Sequence, residues 1–176
     1  GILWFGVDDT YSTVYTPMYC GMKSVPPSFA VGNGAMMEFS PDAAFWIFNQ
    51  VSNLAYTRYD YMIPYIQEKQ KQLETGFQTD IAKVDEMAAT LYKKNPKKAI
   101  KYITNHSVMS AEHTVTAWKD LYAFLFTRYM DGNVKTKIEG KQNPKVEQPG
   151  YDESWYRQVV KDAGERLMIP EGAGSH

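Results

Sequence analysis

The chain has 176 residues, of which 44% are hydrophobic and 22% are charged, and this length and composition are enough for one domain with its own core. Its 19 basic and 20 acidic side chains leave a net charge of −1, so no basic excess exists to neutralise a phosphate backbone, and nucleic acid is not an expected partner. No run of about 18 apolar residues occurs, so no membrane-spanning helix is predicted. The single cysteine excludes an internal disulfide.

Residues 2–20 have the composition of β-strands, because β-branched and aromatic side chains recur on both sides of a polar turn. The predicted strands are residues 3–7 and 11–16, with Asp8 and Asp9 in the turn between them and Pro17 at a strand end. A two-stranded hairpin is only marginally stable in water. These strands are therefore expected to need a larger sheet. Because the sequence also starts at Gly1 as if in mid-strand, we expect a piece of a longer protein.

Residues 21–39 are predicted to form a loop, since Pro26-Pro27 and Gly32-Asn33-Gly34 interrupt any regular pattern. The two glycines of the second segment resemble the start of a phosphate-binding motif. However, the third glycine of G-x-G-x-x-G would fall at Met37. A turn is the favoured interpretation.

Residues 40–132 have helical periodicity and form the predicted helical layer. Ser40 is a good N-cap and Pro41 suits the first helical position. Pro64 is expected to kink or end the first helix, because proline removes a helical hydrogen bond.

The rest of the helical layer has its own boundary signals. Gly76 is a weak point, Asn95-Pro96 is a second pair of N-cap and first position, and Gly132 suits a C-terminal cap. Residues 133–150 are predicted to be a polar connector, and residues 151–176 a short amphipathic helix with a tail. The predicted fold class is thus α+β, mostly helical, with one β-hairpin.

Two groups of residues suggest catalytic or metal chemistry without completing a site. His106 and His113 lie two helical turns apart with Glu112 beside the second, but no third ligand is evident, so a histidine at a helix interface is favoured over a metal site. Cys20 can act as a nucleophile only with a base beside it in space. A small buried residue is the favoured interpretation of this cysteine.

Asp8 and Asp9 are the remaining candidates. On a strand their side chains would point to opposite faces and could not share a proton, whereas in a turn such a pair is common. Loops between buried strands often carry functional sites. Asp9 is therefore our candidate pocket neighbour, and no metal-binding residue is assigned.

Several sequence blocks go beyond these patterns. In chain order they are Trp4-Phe5-Gly6-Val7-Asp8-Asp9-Thr10, Tyr15-Thr16-Pro17-Met18-Tyr19-Cys20-Gly21, Ala44-Phe45-Trp46-Ile47-Phe48-Asn49, Val51-Ser52-Asn53, Ala55-Tyr56 and Tyr129-Met130-Asp131-Gly132. In order and spacing they resemble the C-terminal part of the bacterial dipeptidase A family. These enzymes are cysteine peptidases of the N-terminal nucleophile hydrolase class, related to secernin and penicillin V acylase.

The resemblance implies a four-layer αββα sandwich in the whole enzyme, with the hairpin completing the sheet. It also implies a nucleophilic cysteine that becomes the first residue of the mature protein, with its own α-amino group as general base. Neither Gly1 nor Cys20 occupies that place, so no catalytic residue is assigned to this chain and the nucleophile is expected upstream. The expected partners are the remainder of its own polypeptide, a dipeptide substrate and, as a candidate, further copies of itself. No cofactor, nucleic acid or membrane is expected, and the resemblance assigns no compartment.

Two other functions remain as alternatives. One is a stand-alone helical module that binds a protein partner through its aromatic surface. The other is a metal-dependent enzyme that uses His106, Glu112 and His113.

Overall fold

The computed structural model describes residues 1–169 and contains two compact units, one ending at Asp131 and one starting at Gly132. The elements of the first unit are β1 (Ile2–Phe5), β2 (Thr16–Tyr19), α1 (Ala44–Thr57), α2 (Tyr59–Lys94) and α3 (Pro96–Tyr129). The fold is α+β and mostly helical with β-hairpins, which confirms the predicted class.

The N-terminal hairpin is antiparallel, with Leu3 opposite Met18 and Trp4 opposite Pro17. Both strands are shorter than predicted, and residues 6–15 form a loop. The strand predicted at residues 11–16 is wrong except at Thr16, because backbone atoms of residues 11–15 bond to side chains of α2 instead of a neighbouring strand: Tyr15 N donates to Glu74 Oε1 over 3.0 Å.

Pro17 lies within β2 and not at its end. Tyr19 N donates to Ser107 Oγ of α3 over 3.0 Å, so the nitrogen of Pro17, two residues earlier on the strand, faces α3 and not β1. The missing N–H of Pro17 therefore interrupts no hydrogen bond between the strands.

Helix α3 is the element against which β2, α1 and α2 all pack. On the side that meets β2 its side chains are small, including Ser107, Ala111 and Thr114, and all three are buried. Thr16 Oγ1 lies 3.2 Å from Thr114 Oγ1. Small side chains let the strand backbone approach the helix closely, and their hydroxyl groups satisfy polar atoms that this approach buries.

The apolar core lies between the three helices. Phe48 of α1 stacks on Trp118 of α3 with ring centroids 4.9 Å apart. The largest side chains with almost no exposed surface are Trp118, Phe48, Met62, Ile66 and Leu125. Burying side chains of this size contributes about 1.5–3 kcal/mol each, so this cluster is the main source of stability in the first unit.

The start of α1 differs from the prediction. The helix begins at Ala44, and Ala43 is an N-cap without a side-chain hydrogen bond, so Ser40 and Pro41 do not start it. Ser40 Oγ instead donates to Asn33 Oδ1 over 3.0 Å. The hydroxyl that was expected to cap the helix therefore stabilises the preceding loop.

The helix α2 continues through Pro64, so this proline does not end it as one of the two predicted outcomes had it, and the helical zone breaks instead at Arg58, where φ is −151° and ψ is 58°. A residue with an N–H at position 64 would donate a hydrogen bond to the carbonyl of Asp60, in the first turn of α2. Because Pro64 lies so close to the start of the helix, the missing hydrogen bond affects only a short part of it. The helix also continues through Gly76.

The start of α3 agrees with the prediction: Pro96 is the first residue, and Asn95 Oδ1 accepts a hydrogen bond from Lys98 N over 3.1 Å. The helix ends at Tyr129 and is followed by a 3-10 turn, Met130–Gly132. Within residues 1–169, no helix is both long and apolar enough to cross a membrane.

The second unit starts with a small antiparallel hairpin of β3 (Val134–Thr136) and β4 (Lys145–Glu147), two strands that the sequence did not predict. It continues with α4 (Glu153–Ala163), where Asp152 accepts from Trp155 N over 2.9 Å and caps the helix. This confirms the predicted C-terminal helix. The predicted tail at residues 170–176 lies outside the described residues.

Candidate functional site

The loop between β1 and β2, residues 6–15, carries the two neighbouring carboxylates. It is held closed at its base, where Val7 N donates to Thr13 Oγ1 over 3.1 Å. Gly6 makes this closure fit, because a Cβ on it would lie 2.9 Å from Thr13 Cγ2. Only glycine allows such a close approach of the backbone to Thr13.

Asp8 connects this loop to α1. Its carboxylate accepts hydrogen bonds from Asn49 Nδ2 over 3.0 Å and from Ser52 Oγ over 2.6 Å. Its backbone has a φ of 66°, in the left-handed region that aspartate tolerates better than most residues. Asp8 thus fixes the loop against the helix, and both of its partners belong to the blocks that carry the family resemblance.

Asp9 organises the loop itself and remains partly exposed. Its Oδ1 accepts from Tyr11 N over 3.1 Å, and its Oδ2 accepts from the hydroxyls of Ser12 and Tyr56, each over 3.3 Å. The negative charge of Asp9, followed by this hydrogen bond, raises the pKa of Tyr56. The structure therefore places Asp8 and Asp9 in a loop, where their side chains have separate partners.

Three tyrosines surround Asp9. Tyr59 stacks with Tyr11 at 6.2 Å and with Tyr56 at 6.0 Å between ring centroids. Burial of the Tyr59 hydroxyl, and then the neighbouring Tyr11, raises the pKa of Tyr59. A half-exposed carboxylate beside aromatic faces is an arrangement that attracts a cation, because charge and ring quadrupole act in the same direction.

The far end of the loop is held by α2. Gln70 Nε2 donates to Thr13 O over 2.6 Å and to Tyr11 O over 3.0 Å, and Gln67 Nε2 donates to the Tyr11 hydroxyl over 2.8 Å. In the sequence these two glutamines are visible only as part of a polar stretch on a helix. Only the fold brings them to a loop that lies far away along the chain.

A groove is bordered by the end of β1, the loop at residues 28–36 and the start of α1. It has a volume of about 420 Å³ and is lined by Phe5, Val7, Phe29, the segment 30–36 and residues 43–46. Gly32 and Gly34 have φ values of 91° and 87°, which confirms that the glycine-rich segment is a turn. Val7 lines this groove and immediately precedes Asp8, so the groove and the carboxylates are presented by the same loop.

Cys20 does not have the environment of a nucleophile with a base. Its side chain is exposed, so the expectation that it is buried was wrong. The reason is that β2 ends at Tyr19, and Cys20 already lies in the turn beyond it. Its nitrogen is a peptide amide that donates to Gly1 O over 3.0 Å, and an amide nitrogen has no basic lone pair to accept a proton.

The proposed metal-binding set is not assembled. Glu112 accepts from both Ser28 N and Ser28 Oγ, the latter over 2.9 Å, so it holds a loop. Within residues 1–169, no group of three or more potential ligands is close enough to hold a metal ion. The interpretation of His106 as a histidine at an interface agrees with its half-buried ring, which meets the Tyr19 ring edge-on at 6.1 Å.

The first part of the chain is similar to a known protein family. Residues 1–72 match the sequence model of a peptidase family. That range contains β1, β2, α1, the loop with both carboxylates and every residue that lines the 420 Å³ groove. The match covers less than half of the 176 residues, and it shows that this region is similar to a peptidase family.

The family whose sequence model these residues resemble is Peptidase family C69. This confirms the resemblance to dipeptidase A-like cysteine peptidases over those residues, whereas the Tyr129-Met130-Asp131-Gly132 block lies beyond the match. No curated protein and no solved structure matches the chain significantly.

Proposed function

We propose that this chain is the C-terminal portion of a bacterial dipeptidase whose cysteine nucleophile lies outside residues 1–176. The family match supports the peptidase class, and the proposal adds the dipeptide substrate and the location of the nucleophile. In this account the chain supplies strands and a helical layer, and it is inactive alone.

The observation that carries the proposal is the state of Cys20. An N-terminal nucleophile needs a free α-amino group on the same residue as its thiol, because that amine takes the proton of the nucleophile. Cys20 is internal, and its nitrogen is a hydrogen-bonded amide. As the single cysteine of the chain, it leaves the reaction without a nucleophile of the required kind in these residues.

The loop of Asp8 and Asp9 is proposed to border the substrate pocket. Asp9 is partly exposed and accepts a hydrogen bond from Tyr56, which stacks with Tyr59. A dipeptide carries a positive group, its α-ammonium, in every sequence. A contact between Asp9 and this ammonium would therefore favour short peptides with a free amino terminus without selecting their side chains.

The direct test is hydrolysis of a panel of dipeptides by the purified 176-residue chain, with the Cys20→Ala variant measured in parallel. We expect both proteins to show the same background rate as buffer. Dipeptide hydrolysis by the parent chain that is abolished in Cys20→Ala would contradict the proposal, since the chain would then contain its own nucleophile.

A second function, a stand-alone module that binds a protein, is favoured by one feature of β1. Leu3 is 55% exposed, and Trp4 and Phe5 are also exposed, whereas β2 is buried throughout. Within residues 1–169, β1 has no strand on its outer side. An apolar strand edge of this kind suits either another strand of the same protein or a partner.

A further inference from the structure

A second groove lies away from the carboxylate loop. It is formed by the C-terminal part of α2, the N-terminal part of α3 and the chain that follows β2, and its volume is about 610 Å³. Its apolar walls are Ala88, Ala89, Tyr92, Ala99, Ile100 and Ile103. A volume of this size is in the range of sites that hold one small molecule.

The charged side chains along this groove are all lysines. Lys23 and Lys93 line it, and no aspartate or glutamate among residues 1–169 does. An adjoining cavity of about 360 Å³ shares Lys23 and Ile100 with it and adds Lys97 and Lys101. In the part of the chain that the structure describes, none of these four lysines forms an ion pair. The groove thus combines apolar walls with lysines that form no ion pair among the described residues.

The start of α3 adds positive potential at the same place. The N-terminal end of a helix carries a partial positive charge and normally favours acidic side chains. The first turn of α3 contains no acidic residue, and Lys97 and Lys98 follow directly after Pro96. This charge pattern is unfavourable for the helix alone, and a bound anion would offset it.

The hydroxyl of Tyr19 is not available to donate a hydrogen bond to such an anion. It donates to Asp85 Oδ1 over 2.7 Å, and burial together with this bond raises the pKa of Tyr19. Its ring therefore serves as part of the apolar wall, and the lysines are left to bind the charge.

We propose that this groove binds a medium-chain fatty acid anion. The aliphatic chain lies against the alanine, isoleucine and tyrosine walls, and the carboxylate meets Lys23 and Lys93 at the rim. This binding site is separate from the peptidase reaction and does not depend on it.

The test is calorimetric titration of the full 176-residue chain with dodecanoate, below the concentration at which it forms micelles. We expect saturable binding with one molecule per chain. Dodecanol has the same chain without the charge, and we expect it to bind at least about tenfold more weakly. Lys23→Gln/Lys93→Gln, in which two exposed lysines change, should lose at least about tenfold in affinity for dodecanoate.

Two further variants separate the groove from general charge. Lys71→Gln/Lys83→Gln removes two exposed lysines of α2 that do not line the groove, and it should bind dodecanoate as the parent does. Ala89→Phe fills the groove from an exposed helical position and should abolish binding of both dodecanoate and dodecanol. Thermal unfolding followed by circular dichroism checks that each variant is folded.

Three results would overturn the proposal. The first is no saturable binding of dodecanoate to the parent chain. The second is equal affinity in the parent and in the folded Lys23→Gln/Lys93→Gln variant. The third is binding to phosphatidylglycerol vesicles without binding of monomeric dodecanoate, which would identify the groove as a membrane-facing surface.

Discussion

Asp9 is a partly exposed carboxylate whose Oδ1 accepts from Tyr11 N, and the side of Oδ2 faces the hydroxyls of Ser12 and Tyr56. If this side meets the α-ammonium of a dipeptide, Asp9→Asn in the larger polypeptide should raise KM about fivefold with little change in kcat. A partly exposed charge pair contributes about 1 kcal/mol, and it acts on substrate and transition state alike. Steady-state kinetics over a range of dipeptide concentrations measures this split.

The matched control for Asp9 is Asp120→Asn, which changes an exposed aspartate on α3. It should leave KM unchanged. A fall in kcat at constant KM in Asp9→Asn, or an equal rise of KM in Asp120→Asn, would contradict a binding role for Asp9.

The lowered pKa of His106 makes the free energy of unfolding depend on pH. Burial lowers the pKa of His106, although the charge of Asp80 acts in the opposite direction. In the unfolded chain the pKa of a histidine is about 6.5. As pH falls below about 6.5, the unfolded chain therefore binds a proton more readily than the folded chain does. The free energy of unfolding is at its full value above about pH 6.5 and decreases as pH falls below it. The urea concentration at which half of the protein is unfolded should be lower at about pH 5.5 than at about pH 7.5.

The variant His106→Gln should flatten this dependence, because it removes the titrating ring. His113→Gln, which changes an exposed histidine on the same helix, should keep it. A pH dependence that is identical in the parent and His106→Gln would show that other groups cause it.

At the scale of elements, Gly76 lowers the stability of α2, and no close contact at this position requires a glycine. Gly76 lies within the helix, and a Cβ on it would have nothing within 4 Å. Gly76→Ala should therefore stabilise the chain by about 0.5–1 kcal/mol, because alanine loses less backbone entropy in a helix. Urea unfolding at constant pH gives the difference directly.

Gly34 is the opposite case and serves as the control. Its φ is 87°, and a Cβ there would lie 3.0 Å from the Cβ of Ser40, so Gly34→Ala should destabilise the chain. If Gly76→Ala were also destabilising, α2 would have to be bent or packed at this position in a way that the structure does not show.

The elements also show which parts of the fold were accessible from sequence. The apolar stripe of α3 was predicted from spacing, and Trp118 and Leu125 are fully buried. The small polar side of the same helix was missed, because Thr104, Ser107 and Thr114 do not stand out on a hydrophobicity pattern. Their recurrence at helical spacing is the signal that could have revealed a closely packed strand.

The carboxylate loop was only partly predictable. A turn at Asp8 and Asp9 followed from composition, but residues 11–15 looked like a strand because they are rich in aromatic and β-branched side chains. Their conformation depends on Gln70 and Glu74, which lie on α2 and meet the loop only in the folded chain. The β-propensity of residues 11–15 gives no information about contacts with residues that lie so far away along the chain.

At the scale of the whole molecule, the first unit places a hairpin with one covered strand and one exposed strand on a helical layer. In the first unit, the described residues give β1 a partner on one side only. The proposal assigns the remaining strands, and the nucleophile with them, to residues outside this sequence. The match of residues 1–72 to a peptidase family is consistent with this division.

The central claim is that this sequence is part of a longer hydrolase that starts with cysteine. Intact mass together with N-terminal sequencing of the native protein, isolated from its source cells, tests it most directly. We predict a product much larger than 20.1 kDa, with cysteine as its first residue and this sequence at its C-terminal end. A native product of 20.1 kDa that starts at Gly1 would contradict the account, because no nucleophile would then lie in the same chain.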